Sequence, residues 1–150
     1  MFKNDKSKAT GKLTVEIKNK QGEVIDIREV KNLVVDDGLE YIASRMKDAT
    51  ATAMSHMAIG TGSSAAAASD TALGTEAARV ALTSTTVTAN AVAYVASFGA
   101  GTGTGAITEA GILNAASSGT PLCRTAFSVL NKGASDSMTI TWTVTISDGK

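Results

Sequence analysis

The side chains best suited to metal binding and nucleophilic catalysis are scarce in this sequence. His56 is the only histidine and Cys123 the only cysteine, so one chain lacks the ligand set of a usual zinc site. His56 lies between Met54 and Met57 in an apolar run, which favours a partly buried structural histidine. We therefore predict no metal site, no cofactor and no internal disulfide.

A hydrolase is disfavoured but stays open as an alternative. A Ser-His-Asp triad is defined in space and not by spacing, so the single histidine does not by itself exclude one. However, the chain has no G-x-S-x-G nucleophile elbow, and serine is abundant throughout the later part of the chain. We predict no catalytic residues and a protein that is not an enzyme.

A glycine-rich run invites comparison with a dinucleotide-binding loop. Gly101, Gly103 and Ala106 satisfy the loose G-x-G-x-x-A form, with Gly105 at a variable position, and this form binds pyrophosphate only between a strand and a helix. Residues from Ile107 onward have the pattern of a strand, so we interpret the run as a wide connection between strands. A nucleotide-binding module remains a minor alternative.

Four isolated charges in otherwise neutral segments are candidates for structural ion pairs. Glu76 and Arg79 are close in sequence, whereas Glu109 and Arg124 lie in different predicted strands. Charges in apolar surroundings are usually paired. We predict a salt bridge between Glu109 and Arg124, either within the chain or across a subunit contact.

Charge is distributed very unevenly along the chain. The first 48 residues hold 19 of the 28 charged side chains, and the remaining 102 residues are dominated by Ala, Thr, Ser and Gly. Globular domains average about 25% charged residues, and a surface well below that level favours a protein packed against copies of itself or a larger body. The net charge is zero, which makes a nucleic-acid partner unexpected.

The beginning of the chain carries a small basic cluster. Residues 1–11 are predicted to be a flexible N-terminal arm, since chain termini are poorly ordered unless tied down. Four lysines in or next to this arm are candidate partner contacts, although a solvated tail explains them as well. They are Lys3, Lys6, Lys8 and Lys12.

Alternating apolar and polar residues predict a mainly β fold with one short α-helix. Residues 138–146 are the clearest strand, because Met138 to Ile146 alternate with threonines. The other strands are predicted at 13–18, 23–30, 54–59, 79–88, 91–98, 106–114 and 122–130. Turn signals every 8–12 residues favour an antiparallel β-sandwich, which we expect to be jelly-roll-like.

The helix is predicted over residues 37–48, and residues 63–69 are predicted to be a loop. Asp37 is the expected N-cap, with Glu40 in the capping-box position. The apolar face is expected to consist of Leu39, Ile42, Ala43 and Met46.

The chain length fits a single domain, which we place at residues 12–150. No apolar stretch approaches the ~20 residues that span a bilayer, and the N-terminus lacks the apolar core of a signal peptide. We expect a protein made in the cytoplasm that does not contact membranes.

From residue 57 onward, the chain resembles a group of small structural proteins of tailed bacteriophages. A preceding segment, NLVVDDGL at 32–39, also resembles the segment before this block in such proteins. The resemblance is carried by MAIGTG at 57–62, DTALGTE at 70–76, Arg79, FGAG at 98–101, ITEAGILN at 107–114, LCRTAF at 122–127 and DSMTITWTVTI at 136–146.

The resemblance implies a virion component without catalytic residues. Proteins of this kind include head decoration (cement) proteins as well as tail-fibre, collar and baseplate parts. The modest length and absence of a repetitive shaft favour a decoration protein on the outer surface of the phage head. Its expected partners are the major capsid protein and copies of itself, as a dimer or trimer, and no small-molecule substrate is expected.

Overall fold

The computed structural model describes residues 7–47 and 51–148. These residues form nine strands and one helix, in the order β1 (Lys8–Lys18), β2 (Val24–Val34), α1 (Asp36–Lys47), β3 (His56–Gly60), β4 (Glu76–Ala81), β5 (Ser84–Thr88), β6 (Ala91–Phe98), β7 (Gly105–Leu113), β8 (Pro121–Lys132) and β9 (Ser137–Ser147). The prediction of a mainly β fold with one helix is confirmed.

The strands form a single antiparallel sheet that curls into a half-barrel. Its order is β4-β3-β7-β8-β2-β1-β9-β6-β5. Strand β2 belongs to both halves, because most of its length pairs with β1 while Leu33 and Val34 pair with β8. We call β2-β1-β9-β6-β5 the first half of the sheet and β8-β7-β3-β4 the second half.

The two halves share one hydrophobic core on their inner faces. In β9, Ile140, Trp142 and Val144 point inward and are buried, as the alternation predicted. They belong to the same buried cluster as Met57 of β3 and Ile112 of β7. A core of this kind holds the curled sheet together through apolar burial rather than through a disulfide.

One predicted strand is wrong in an informative way. Residues 79–88 were expected to form one strand, but they form β4 and β5, separated by Leu82 and Thr83. These two strands lie at opposite edges of the sheet. The amide of Leu82 donates to Ser55 on one side, and that of Thr83 donates to Val95 on the other. The chain therefore crosses between edges in two residues, which local sequence patterns do not reveal.

The helix differs from the prediction at its start and in its packed face. It begins at Asp36, and the Val35 carbonyl accepts a hydrogen bond from Leu39, so Asp37 lies in the first turn and is not the N-cap. Leu39 and Met46 are exposed, whereas Tyr41 and Ile42 pack on the core. The predicted last residue, 48, lies outside the described residues.

Glycine allows the helix to approach the sheet closely. A Cβ on Gly38 would lie 2.0 Å from the carbonyl oxygen of Leu122 in β8. This contact places the Gly38 side of the helix against β8 and turns Leu39 and Met46 away from it. The observed face therefore depends on a residue with no side chain, which an analysis of apolar spacing overlooks.

The N-terminal arm was predicted to extend to residue 11, but strand structure begins earlier. Strand β1 begins at Lys8, and residues 8–11 pair with β9, with Lys8 opposite Ser147 and Gly11 opposite Val144. Pairing with a central strand of the sheet excludes these residues from a flexible arm. Lys3 and Lys6 lie outside the described residues. Within the described part of the chain, no helix has the length and apolar character needed to span a membrane.

Candidate functional site

The most highly organised polar site is a buried cluster of three charged side chains, which we call the ionic cluster. It consists of Glu109 in β7, Arg124 in β8 and Asp70 in the loop after β3. Arg124 Nη2 lies 3.0 Å from Glu109 Oε1, and Arg124 Nη1 lies 2.8 Å from Asp70 Oδ2. The predicted Glu109–Arg124 pair is thus present within one chain, and Asp70 is an unpredicted third member.

Glu109 is fully buried and accepts hydrogen bonds from backbone amides as well as from Arg124. The amides of Gly62, Gly74 and Thr75 donate to its two oxygens at 2.6, 2.7 and 2.7 Å. Burial alone raises the pKa of Glu109, but these amides and Arg124 outweigh burial and hold the pKa below its usual value of 4.5. The carboxylate is therefore charged in the folded protein at neutral pH.

Arg124 extends the same network to the other part of the loop. Its guanidinium donates to the carbonyl oxygens of Ser64 and Ala65 at 2.9 and 3.3 Å. Asp70 in turn accepts from the amide of Ala67 at 2.8 Å. Burial works against the charge of Asp70, but the Ala67 amide and Arg124 lower its pKa overall.

The ionic cluster fastens residues 61–75, which we call the covering loop, over the outer face of the second half of the sheet. Leu73 of this loop lies above Gly111, where an added Cβ would come within 2.7 Å of its side chain. Leu73 also shares a small buried cluster with Ala58 and Leu113. Charge and apolar contacts together convert a long irregular segment into a fixed surface.

Arg79 fastens a second loop. Its guanidinium contacts Glu76 at 2.6 Å and donates to the carbonyl oxygens of Ala115 and Ser118 at 2.9 and 2.8 Å. The pairing of Glu76 with Arg79 follows the expectation from the sequence. The arginine thus divides its hydrogen bonds between the Glu76 carboxylate and two backbone carbonyls of the loop after β7.

Lys132 fastens the glycine-rich run in the same way, through hydrogen bonds to backbone carbonyls. This role was not predicted from the sequence. The side chain is buried, and Nζ donates to the carbonyl oxygens of Gly99 and Asp136 at 2.8 Å each. Burial lowers the pKa of Lys132, partly offset by Asp136. The run leads into strand β7 and not into a helix, as predicted, so it lacks the geometry of a phosphate-binding loop.

The outer face of the first half of the sheet has a different character, and we call it the threonine face. In register, Thr141 lies between Thr14 of β1 and Val95 of β6, while Thr143 lies between Lys12 and Ala93. Thr141 is exposed. The face consists of Thr10, Thr14, Ala91, Ala93, Val95, Ser97, Thr139, Thr141, Thr143 and Thr145, together with two charged residues of β1, Lys12 and Glu16.

An apolar groove lies between the helix and the end of the first half of the sheet. Its volume is about 420 Å³. Two residues on its rim are strongly exposed, namely Met46 at 83% and Val87 at 71%. The lining also includes Tyr41, Ile42, Thr85, Val92, Tyr94 and Ile146.

The remaining predicted residues are not brought together into a site. Lys8 is exposed in β1, and Lys12 pairs with Glu29 of β2 at 2.9 Å on the surface. Both lie apart from the ionic cluster, on the opposite half of the sheet. Neither lysine lines one of the surface pockets of the described residues.

The histidine and the cysteine occupy structural positions. His56 is half-buried, and its Nδ1 lies 2.7 Å from Ser55 Oγ. No hydrogen bond joins His56 to a carboxylate among the described residues. Complete burial raises the pKa of the Cys123 thiol well above its usual value. Across residues 7–47 and 51–148, no cluster of three His, Cys, Asp or Glu side chains could hold a metal ion.

Comparison of the chain with protein-family models, characterised proteins and solved structures found no match.

Proposed function

We propose that this protein is a non-enzymatic structural protein of a tailed-phage virion, acting as a decoration (cement) protein. It binds the outer surface of the phage head and stabilises contacts between major capsid protein subunits. The threonine face carries this proposal, because it presents a broad strand surface on which the outward residues of β9 from 139 to 145 are all threonine. The sequence resemblance to small phage structural proteins supports the same role.

The composition of the threonine face suits repeated packing against a symmetric shell. Burying an unpaired charge in an interface is costly, whereas hydroxyl groups can exchange water for hydrogen bonds with a partner at little net cost. A decoration protein needs only modest affinity for each contact, because many linked contacts multiply. Because most residues of the threonine face are uncharged, most of the contact area avoids this cost at every copy.

The charged beginning of the chain is proposed to set the orientation of binding. Lys12 and Glu16 are the charged residues of the threonine face and lie on its β1 side, opposite Thr143 and Thr139. Charges on the rim of an interface affect association rate and register more than affinity. We therefore expect the first 48 residues to make more than their share of the contacts with the capsid protein.

We further propose that the two halves of the sheet face each other as the layers of a jelly-roll-like β-sandwich. The support is that one buried cluster combines residues from both halves, such as Trp142 of β9 and Ile112 of β7. Packed sheets lie about 10 Å apart. A measured separation near this value between β9 and β7 would support the layered description, and a wider, round cross-section would favour an open barrel.

The copy number in purified virions tests the location. Hundreds of copies per particle, visible on the head in a cryo-EM reconstruction, would support the decoration role. A number that matches the symmetry of a tail, collar or baseplate would instead favour the second candidate, a tail component. That candidate comes from the same resemblance, but the chain has only three Phe, two Tyr and one Trp, which is few for a sugar-binding tip.

A binding experiment tests the surface. Heads lacking the protein would be incubated with wild-type protein, with Thr141→Lys and with Ala67→Lys. The first variant places a charge in the threonine face, and the second places the same charge on an exposed residue of the covering loop. We expect binding to be lost only in Thr141→Lys. Equal binding by all three proteins would overturn the proposed surface.

A further inference from the structure

Strand β5 is a bare edge of the sheet. Among the described residues it pairs only with β6, and all five of its residues are exposed. Edge strands of soluble proteins are normally protected by charges, proline, a bulge or a covering segment. The sequence STTVT contains no charge and no proline, and no charged residue occurs between Arg79 and Glu109. An edge of this kind is suited to pairing with another strand.

The turn after β5 determines which backbone groups are free. Thr88 pairs with Ala91 across a connection of two residues, in which Ala89 has a φ of 52°. Such a connection closes with a hydrogen-bonded pair, and bonded pairs alternate with non-bonded ones along the ladder. Thr88, Thr86 and Ser84 therefore bond to β6. The N–H and C=O groups of Thr85 and Val87 point away from the sheet.

We propose that β5 pairs with β5 of a second copy of this chain, antiparallel and centred on Thr86. In this register, Thr85 exchanges backbone hydrogen bonds with the partner's Val87, and Val87 does so with the partner's Thr85. Both free residues of each strand are then satisfied. Thr86 lies opposite the partner's Thr86 as a non-bonded pair on the two-fold axis.

The chemistry of the edge favours a second copy over a different partner strand. A two-fold contact brings the same surface together with itself, so a charged edge would oppose like charges, whereas β5 is neutral. Thr85 and Val87 lie on the groove side, in register with Tyr94 and Val92. Pairing sets each exposed Val87 beside a β-branched neighbour, which is a favourable cross-strand contact.

The contact is expected to be reversible. A pair of five-residue strands buries less surface than the ~1,200 Å² typical of stable complexes. Isolated protein should therefore shift with concentration from the 15.2 kDa monomer to a particle of twice that mass. This β5–β5 pairing would be the contact between copies in the virion, and to that extent it rests on the proposed function. It is nevertheless tested on isolated protein, without phage heads.

A disulfide provides the test of register. Opposed residues of a non-bonded antiparallel pair have Cα atoms about 4.5 Å apart, within the range that a disulfide spans. Thr86→Cys should therefore form a covalent dimer under mild oxidation. Ser84→Cys is the matched control, because Ser84 faces the partner's Thr88 and not itself. The native Cys123 is buried and does not compete.

Two edge variants test the contact in the reducing state. Thr85→Pro removes an outward N–H without touching the bonds to β6, and Val87→Lys adds a charge to the edge. Both should abolish the concentration-dependent dimer in sedimentation experiments, whereas Thr141→Lys should keep it. A monomer at every concentration, or equal cross-linking of Thr86→Cys and Ser84→Cys, would overturn the inference. A dimer that fails to bind heads would overturn only the proposed function.

Discussion

The two halves of the sheet share one core, but only the second half has its outer face covered by a loop. The second half is covered by residues 61–75, which the buried ionic cluster of Glu109, Arg124 and Asp70 holds in place. The first half leaves its threonine face and the β5 edge uncovered. The same fold thus combines a sealed surface with an open one.

The comparison explains where the few charges of the later chain are used. Between Ala51 and Asp148, seven of the charged residues make the contacts that fix loops or pair with one that does. They are Asp70, Glu76, Arg79, Glu109, Arg124, Lys132 and Asp136. Irregular backbone has unpaired polar groups that must be satisfied when it is buried. These seven charges therefore serve to fix loops, and none of them lies on the threonine face.

The largest expected effect comes from breaking the ionic cluster. Arg124→Ala leaves Glu109 buried without its cation, and breaking a buried pair costs about 3–5 kcal/mol. Urea unfolding measures the loss in the free energy of unfolding. Lys12→Ala is the control, because its pair with Glu29 is exposed and is worth ~0–1 kcal/mol. Similar losses of unfolding free energy in both variants would contradict the proposed difference between the second half of the sheet, with its buried ion pairs, and the first half, with its exposed ones.

Acid should remove the stabilising contribution of the ionic cluster in the second half of the sheet. The pKa of Glu109 is held below 4.5 in the folded protein, so its stabilising contribution is present above that pH and disappears as pH falls through the folded pKa. The pKa of Asp70 is lowered in the same direction. Unfolding measured from pH 7 to pH 3 should show a steeper decline for the wild type than for Glu109→Gln. Parallel curves would contradict this role.

A smaller effect is expected at the glycine-rich turn. Lys132→Met retains much of the side-chain volume but removes the donor to the Asp136 carbonyl and leaves the Gly99 carbonyl with the Thr102 amide alone. An unsatisfied buried polar group costs about 1–3 kcal/mol. Thermal unfolding checks the loss against Lys31→Met, which removes the same charge from an exposed position. A loss no larger than in that control would show that Lys132 does not fasten the turn.

The smallest effect on stability is expected on the open half. Thr141→Lys changes an exposed residue of a central strand, and surface substitutions usually stay within about 0.5 kcal/mol. The free energy of unfolding should hardly change, although binding to heads should fail. A large loss of stability would mean that the threonine face is structural and not a partner surface.

The regular elements were largely predictable, and the way they are arranged was not. Alternation of Met138 to Ile146 with threonines located β9, because one face of that strand is buried from Met138 to Val144. The Glu109–Arg124 pair was predictable because both charges lie within apolar strands. Asp70 was not, since it reaches the cluster from a loop that has no periodic pattern.

Two features that were not predicted from the sequence share one physical cause. Lys132 bonds to backbone carbonyls, and any residue type can supply a carbonyl, so its partners leave no mark in the sequence. Leu82 and Thr83 transfer the chain from one sheet edge to the other through contacts with Ser55 and Val95, which are distant in sequence. Both features depend on tertiary neighbours, whereas periodicity reports only on local burial.

The pairing of β1 with β9 has a consequence for how the chain folds. Among the described strands, β1 comes first in the chain and is enclosed between β2 and β9, and β9 comes last. Until β9 is available, Leu13, Val15 and Ile17 cannot be fully buried, and one edge of β1 stays unpaired. Folding dominated by such distant contacts typically takes milliseconds to seconds. This part of the nascent chain therefore remains open to chaperones, and to aggregation, until β9 has left the ribosome.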